Sequence, residues 1–453
     1  MSITGIAVDL FVRHLSLSAS FLFLSLAGWR VYTLFHRSEN AKRILEKAIE
    51  TQTHEPVTLH PEIDPALCSA CGACTQACPE GDILRLVHHK AVLVEPTHCV
   101  GHGECERACP TGAITLVFGT KSRGMDIPRI STDYETNVPG LYIAGELGGM
   151  GLIRNAIKQG HLAAQHALSS LSGSSQKDRD TDLLIVGAGP AGLGAALTAI
   201  AERKNYICID QNTFGGTVNN FPRQKIVMSH PAYLPIIGKM KFKRNRIPKE
   251  ELLEFWNDVR KKTGLEVRER TQFESLQKIE ENFHVKTNCG VIRAAKVVLC
   301  MGVRGNPRRL GLTNEDLPKV AYNLIDPEQY KNNRIVVVGG GNAGVEAAQA
   351  LANVELKNEV TLLVRGTSLD RCNKENKEII EKLASEGALQ IWFDSAVKEI
   401  HSDSLCIKKG EELKTVPNDY LFVFAGANLP HQFLMSLGVH MDKKFGEALS
   451  KSA

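Results

Sequence analysis

The chain has 453 residues, 43% of them hydrophobic and 23% charged, with a formal net charge of +4. That length predicts two to four domains with ordinary cores, and the composition excludes wholesale disorder. The charge is too small to argue for nucleic acid, so no nucleic-acid partner is expected. The first recognisable element is an apolar run over residues 15–29, with several serines and no charge. It extends to residue 35 if Arg30 is tolerated, close to the ~20 residues a bilayer requires. Arg13 and His14 precede it; Arg30, Arg37, Lys42, Arg43 and Lys47 follow, which puts the C-terminal side in the cytoplasm. No small-residue cleavage site of a secretory signal precedes the polar segment. Residues 15–35 are therefore a candidate anchor, giving a cytoplasmic protein held on the inner face of a membrane. The alternative is an amphipathic or buried helix docked on the protein. Residues 40–52 look like a charged helix, and residues 1–52 form the N-terminal region.

Two cysteine runs follow: Cys68-Ser-Ala-Cys71-Gly-Ala-Cys74-Thr-Gln-Ala-Cys78-Pro79 and Cys99-Val-Gly-His102-Gly-Glu-Cys105-Glu-Arg-Ala-Cys109-Pro110. The first matches the C-x2-C-x2-C-x3-C-P spacing of bacterial two-cluster ferredoxins. Three thiolates at that spacing wrap one face of a cuboidal cluster, and the fourth turns away to the other cluster. Cys68, Cys71, Cys74 and Cys109 are thus assigned to cluster one, and Cys99, Cys105 and Cys78 to cluster two. Zinc prefers four ligands in two separated pairs, and seven thiols with two following prolines do not divide that way.

His102 stands where the second run would carry its second cysteine. Three outcomes are open: a [4Fe–4S] cluster with one imidazole ligand, a [3Fe–4S] cluster with His102 unligated, or no second cluster. Imidazole is neutral where thiolate is negative, so a histidine-ligated cluster would sit at a higher potential. The first outcome is favoured. The other five cysteines (Cys208, Cys289, Cys300, Cys372, Cys406) show no pairing pattern, and free thiols beside thiolate ligands indicate a reducing compartment. Residues 53–121 suffice for an α+β two-cluster ferredoxin domain. A hairpin is expected from strands 84–88 and 91–95 around a turn at His89-Lys90, with a closing strand at 114–118.

The next segment, residues 122–182, is out of its usual place. Thr136-Asn-Val-Pro139-Gly140-Leu-Tyr-Ile-Ala-Gly145-Glu146 ends in a buried strand over residues 141–144 and leads into a helix over residues 153–171. It resembles the C-terminal flavin segment of thioredoxin-reductase-like flavoproteins, T-x-V-P-G-L-Y-A-A-G-D, which in that family follows the nicotinamide domain. Glu146 takes the position of the family's aspartate, which the resemblance places against the flavin ribityl chain. At the other end, Phe422-Val-Phe-Ala-Gly426 and Leu437-Gly438-Val439 resemble the last strand of the family's nicotinamide domain and its exit. The flavoprotein is therefore expected to be circularly permuted, with residues 169–182 as the new linker and residues 431–453 returning to the flavin domain.

Residues 183–329 open with Leu183-Leu-Ile-Val-Gly187-Ala-Gly189-Pro-Ala-Gly192. A strand, a G-x-G-x-x-G turn and a small-residue helix meet Asp210 after a second strand, the position of an acid that binds the adenosine ribose. Gly187 allows the tight turn and Gly189 the approach of a pyrophosphate. Gly192 allows close helix packing, so the phosphates meet the helix N-terminus. Gly215-Gly216-Thr217-Val-Asn-Asn-Phe221-Pro222 resembles the family's flavin loop G-G-x-x-x-N-F-P, and the strand leading to Gly302 resembles its A-T-G strand, which makes FAD the expected ligand. Residues 330–430 hold a second fingerprint, Gly339-Gly-Gly341-Asn-Ala-Gly344. Its second strand, residues 360–364, ends at Arg365 where an acid would favour NADH. Arg365, assisted by Arg371, points to NADPH, with NADH the alternative. The basic run over residues 239–246 is expected to be a solvated loop.

The expected fold class is α/β, with two Rossmann-like domains for FAD and NAD(P), behind the ferredoxin domain. A thioredoxin reductase carries C-x-x-C beside its flavin, and none follows Cys109. The resemblance therefore covers fold and cofactors over about residues 122–448, not disulfide chemistry. The expected function is an NAD(P)H-dependent flavin/iron–sulfur oxidoreductase serving a redox partner protein or small electron acceptor. A homodimer and a single-helix membrane association are compatible with it. The alternatives are a thiol or disulfide reductase using Cys300 or Cys208, and a non-catalytic electron-relay subunit.

Overall fold

The computed structural model describes residues 3–50, 54–56, 59–122, 124–149, 151–171, 178–228, 232–243, 246–303, 307–369, 371–426 and 430–448, with residues 3–22 and 374 described by backbone alone. The chain divides into two compact units, Met1–Leu116 and Val117–Ala453.

The first unit begins with one long helix, α1 (Ile3–Glu50). The separate apolar and charged segments expected from sequence are thus one continuous helix, because no Gly-Pro break lies between them. The candidate anchor at residues 15–35 falls partly on side chains outside the described residues. Among the described residues no helix is long and apolar enough to cross a membrane. Phe23, Trp29 and Phe35 are 72%, 65% and 66% exposed. Further along, Ala41 is buried against Val87 and Val94, with Ile44, Leu45 and Val92 packed around them. The N–H of His88 donates to the Ser38 hydroxyl at 3.2 Å.

After β1 (His60–Ile63) and α2 (Ala73–Ala77), a hairpin pairs β2 (Leu84–Val87) with β3 (Lys90–Leu93). Val87 faces Lys90, so the turn is His88-His89, one residue earlier than expected. Both histidines have positive φ, 46° and 60°, as a two-residue turn matching strand twist requires. Short α3 (Glu104–Arg107) follows, and β4 (Ile114–Phe118) carries the chain into the second unit.

The second unit starts with β5 (Met125–Pro128), β6 (Leu141–Ile143) and α4 (Ile153–Ser169). Next come β7 (Thr181–Val186), α5 (Pro190–Ala201), β8 (Tyr206–Ile209) and α6 (Lys249–Thr263). The antiparallel strands β9 (Phe273–Ile279) and β10 (Asn282–Thr287) lead into the long β11 (Gly290–Leu299). These form one sheet in the order β9-β10-β11-β7-β8. β6 joins it in parallel register on β11, with Leu141 opposite Val297 and Ile143 opposite Leu299. The early segment therefore completes the sheet that starts at residue 181, as the permutation requires. The linker is shorter than expected: Ser169 ends α4, and Thr181 and Asp182 already belong to β7.

A second parallel sheet is built from β12 (Val320–Ala321), β13 (Arg334–Val338), β14 (Glu359–Leu363), β15 (Gln390–Trp392) and, later in the chain, Tyr420–Val423. Helices α7 (Asn342–Leu351) and α8 (Lys374–Ser385) accompany it. A three-stranded antiparallel sheet, β16 (Ser395–Ile400), β17 (Ser404–Lys409) and β18 (Glu412–Pro417), is inserted before β19, the Tyr420–Val423 strand. Beyond α9 (His431–Ser436), β20 (Met441–Lys444) pairs antiparallel with β5. Arg129 clamps Asp442 at 2.6 Å, and Asn137 exchanges hydrogen bonds with the backbone of Gly438 and His440. Residues near the end of the chain thus lie against residues near the start of this unit.

The contact that fixes the displaced segment is between α4 and α5. A Cβ on Gly160 would stand 1.9 Å from the carbonyl oxygen of Ala191, and one on Gly194 would stand 2.2 Å from that of Ile157. Mid-helix glycine is normally worse than alanine by about 1 kcal/mol, so Gly→Ala would ordinarily stabilise. Here the obstacle is backbone, which does not yield cheaply. Gly160→Ala should therefore destabilise the second unit by ~1–3 kcal/mol or more, with lower FAD content, measured by thermal unfolding and flavin absorbance. A rise in melting temperature would contradict this packing.

Candidate functional site

In the first unit, Cys68, Cys71, Cys74 and Cys109 line one cavity together with Leu86, Ala91 and Ile114. Cys74 lies on α2, which starts behind Gly72 at φ 75°. The backbone N–H of Ala91 points at the Cys68 sulfur at 3.5 Å, and the Lys90 ammonium holds the Cys68 carbonyl at 2.8 Å. Burial, then the neighbouring Cys68 and Cys71, push the Cys74 thiol up. Cys109 goes the other way. A burial penalty is outweighed by the Thr111 hydroxyl and the N–H groups of Thr111, Ala113 and Ile114, which hold its thiol below the ordinary value.

The second group is Cys78, Cys99 and Cys105. Burial pushes Cys99 up to about 11, helped by Cys78 and Glu80, and pushes Cys105 up to about 12, helped by Cys99 and Cys78. Burial raises Cys78 as well, opposed by the Glu80 backbone N–H and aided by the Glu80 carboxylate. Bare thiolates packed so closely repel one another, and a cationic iron core removes that penalty, so the donor sets fit iron–sulfur clusters. The structure gathers Cys68, Cys71, Cys74 and Cys109 around one cavity and brings Cys78 and Cys99 near Cys105. Among the described residues no three His, Cys, Asp or Glu side chains converge as they would on a single metal ion.

The two halves repeat one another. Gly72 and Gly103, each two residues before a buried cysteine, share nearly the same left-handed backbone, φ 75° and 77°. His102 therefore occupies the counterpart of Cys71. Its Nε2 lies 3.5 Å from a Glu80 carboxylate oxygen, and its side chain is 15% exposed. Burial raises Glu80, with His98 opposing. A Cβ on Gly101 would stand 2.8 Å from the Leu59 carbonyl oxygen, so packing alone demands that glycine. Glu80 had no signal in the sequence beyond following Cys78-Pro79.

The second unit holds two glycine cradles of matching construction. Gly187 (φ 107°) would put a Cβ 2.6 Å from the Cys300 carbonyl oxygen, and Gly339 (φ 131°) would put one 2.4 Å from that of Phe424. A Cβ on Gly192 would stand 1.8 Å from the oxygen of Gly187, and one on Gly344 2.2 Å from that of Gly339. In front of Gly189 and Gly341 nothing lies within 4 Å. The first and third glycines are thus closed by the fold. The middle ones face open space at the start of α5 and α7, where a pyrophosphate fits against the first N–H groups of those helices.

Around the first cradle, Gly216 approaches Gly189, with its Cβ position 3.0 Å from the Gly189 Cα. Thr217 follows it in a short turn, Gly216–Val218. The Asp210 carboxylate is 7% exposed and accepts from the N–H groups of Ala188 at 2.7 Å and Asn212 at 2.8 Å. It therefore also staples the fingerprint turn, a role the sequence did not signal. Gly145 lies against α5, its Cβ position 3.0 Å from the Ala191 Cβ, and its N–H donates to the buried Gln159 at 2.8 Å. The Glu146 carboxylate stands between Gly151 and Gly302, 3.2 and 3.8 Å from the Cβ positions those glycines would have. Lys249, only 6% exposed, donates to the carbonyls of Asn219 and Phe221 beneath the flavin-type loop. At the second cradle, Arg365 follows β14 and is exposed, as is Arg371.

Residues 184–451 match the pyridine nucleotide-disulphide oxidoreductase family. The chain belongs to that family. Residues 60–110 separately match a 4Fe-4S dicluster domain, so this member is an FAD-dependent oxidoreductase carrying an iron–sulfur domain. It is 31% identical over 271 residues to a ferredoxin–NADP reductase of Ignicoccus hospitalis, covering 58% of this chain and 83% of that one. It is 28% identical over 267 residues to the bacilliredoxin reductase Bdr of Bacillus subtilis, covering 58% and 82%. A solved bacillithiol disulfide reductase from Staphylococcus aureus shares the fold, with TM-score 0.53, 22% identity and coverage of 58% and 82%.

The family's middle glycine supplies a test in which stability and binding part company. Gly189 has a φ of −79° and free space before it. Gly189→Ala should leave the unfolding free energy of flavin-free protein within roughly 0.5 kcal/mol of the original. It should weaken FAD binding, measured by flavin retention on dilution. Unchanged retention would mean that no phosphate lies there.

Proposed function

We propose that the protein passes electrons between NADPH, FAD and two iron–sulfur clusters, and onward to a partner acceptor. The observation that carries the proposal is the presence, in one chain, of two open glycine cradles and two gathered thiol sets. Relatives named ferredoxin–NADP reductases make a ferredoxin-type protein the favoured acceptor. When bound, the nicotinamide supplies a hydride, the flavin converts two-electron into one-electron transfer, and the clusters carry single electrons. The chain's own part is to bind and orient. Gly187, Gly189 and Gly192 hold one pyrophosphate, and Gly339, Gly341 and Gly344 hold the other. Glu146, Gly216, Thr217 and Gly302 surround the flavin, and Arg365 takes the extra phosphate of NADPH. No acid–base residue has to be invoked.

The thiol-reductase alternative is disfavoured by the cysteines it would need. Burial pushes the Cys208 and Cys300 thiols far up, and both are buried, the opposite of an activated nucleophile.

Anaerobic titration with NADPH should bleach the flavin and then reduce the clusters without added disulfide. A flavin that stays oxidised would overturn the proposal. NADPH should be preferred to NADH, and Arg365→Glu should reduce that discrimination by ~1–3 kcal/mol in kcat/KM. Equal efficiency with both coenzymes in the unaltered protein would remove Arg365 from the site.

Within the same proposal, His102 ligates the second cluster. Its support is the counterpart position to Cys71 and the placement beside Glu80, next to Cys78 and Cys99. Anaerobically prepared, mildly oxidised protein should show no stoichiometric three-iron EPR signal. His102→Cys should keep two clusters and lower the potential of one, since a thiolate replaces a neutral ligand. A full three-iron signal before any exposure to air, lost only in His102→Cys, would show that His102 is not a ligand.

A further inference from the structure

The loop that follows the flavin-type turn is tied at both ends to different parts of the second unit. On one side the backbone N–H of Lys249 donates to the Lys225 carbonyl at 2.9 Å. On the other, the backbone N–H of Arg223 donates to the Ile325 carbonyl at 3.1 Å, and the Arg223 guanidinium lies 3.6 and 3.7 Å from Asp326 and Glu328. The centre of this junction is an ion pair between Lys225 and Glu346. Glu346 belongs to α7, one turn beyond the second cradle.

The pair is built rather than incidental. The two side chains are only 25% and 29% exposed, so water and salt screen them less than a surface pair. The second Glu346 oxygen accepts from the Asn376 amide at 3.1 Å, and that amide also reaches Asn342, the first residue of α7, at 3.2 Å. The Lys225 ammonium additionally stands over the Phe221 ring at 5.5 Å. A chain of contacts therefore runs from the first cradle, through Gly216 and Phe221, to the N-terminal turn of α7.

We propose that Lys225 and Glu346 are positioning residues that set the orientation of the second cradle against the first. They thereby set the distance over which the hydride moves. This rests on the proposed NADPH-to-flavin reaction. In that step two electrons and one proton leave the nicotinamide, which is oxidised, and arrive on the flavin, which is reduced. On this proposal removal of the pair acts on geometry and leaves binding nearly intact.

The test uses full-length, flavin-loaded protein with Lys225→Met, Glu346→Gln, the double variant, and the exchange Lys225→Glu with Glu346→Lys. Hydrogen exchange without nicotinamide should rise at residues 223–225 and 325–328 in both single variants and no further in the double. In anaerobic stopped flow, each single variant should reduce its flavin about tenfold more slowly with NADPH, with the NADPH Kd changed by less than about threefold. The exchange should recover most of the rate. Single variants with unchanged exchange and unchanged rate would overturn the proposal, as would effects that simply add in the double variant. A large rise in Kd at unchanged limiting rate would place Glu346 in coenzyme binding instead, and also overturn it. Failure of the unaltered protein to reduce its flavin with NADPH would refute the proposed function, while the hydrogen-exchange comparison would still decide whether the pair fixes the junction.

Discussion

The second unit depends on a backbone-to-backbone contact between α4 and α5. Two glycines, Gly160 and Gly194, face the carbonyls of Ala191 and Ile157 with no room for a methyl group. Around them lie alanines: Ala156, Ala163, Ala164 and Ala167 on one helix, Ala191, Ala195, Ala196 and Ala199 on the other, all buried. Each mid-helix glycine costs about 1 kcal/mol in helix stability relative to alanine. The offset is dispersion and burial gained along two helices that can approach this closely. The same segment places Gly145 against α5 and β6 on β11.

The contact explains why rearranging the chain order is tolerable. A fold senses which surfaces meet and is indifferent to the direction from which the backbone arrives. Here β6 finds its register on β11 through parallel pairing, and β20 finds β5 through antiparallel pairing and the Arg129–Asp442 clamp. What the permutation adds is the attachment of the iron–sulfur domain directly ahead of a flavin segment, instead of at the far end of a nicotinamide domain.

Much of this was legible because the chemistry needs local motifs. Cluster thiols, fingerprint glycines and the T-x-V-P-G segment each lie within a short stretch, where residue type and spacing are dictated by the ligand or the turn. The hairpin turn was misplaced by one residue because histidines at positive φ are uncommon, and nothing in His88-His89 announces them. Long-range partners had no local signature. Gln159 supporting Gly145, Glu80 beside His102 and Glu346 opposite Lys225 are each joined by folding alone. Asp210 was found by its position, yet its double acceptance from Ala188 and Asn212 belongs to the turn's own hydrogen-bond needs.

The buried thiols separate two electron routes that share this fold. A disulfide route needs a thiol that ionises readily and can be reached, as at a helix N-terminus or beside a cation. Cys208 ends in the packed sheet with Asp210 as its nearest charge, and Cys300 sits under Gly187; both are buried and both are driven toward the neutral form. Cys74, Cys99 and Cys105 are driven the same way in the first unit. Their case differs because each has other thiols around it, and a shared cationic core turns mutual repulsion into ligation. Burial alone leaves a cysteine inert, as at Cys208 and Cys300; where thiols are gathered as in the first unit, a cluster core offers the compensation that burial withholds.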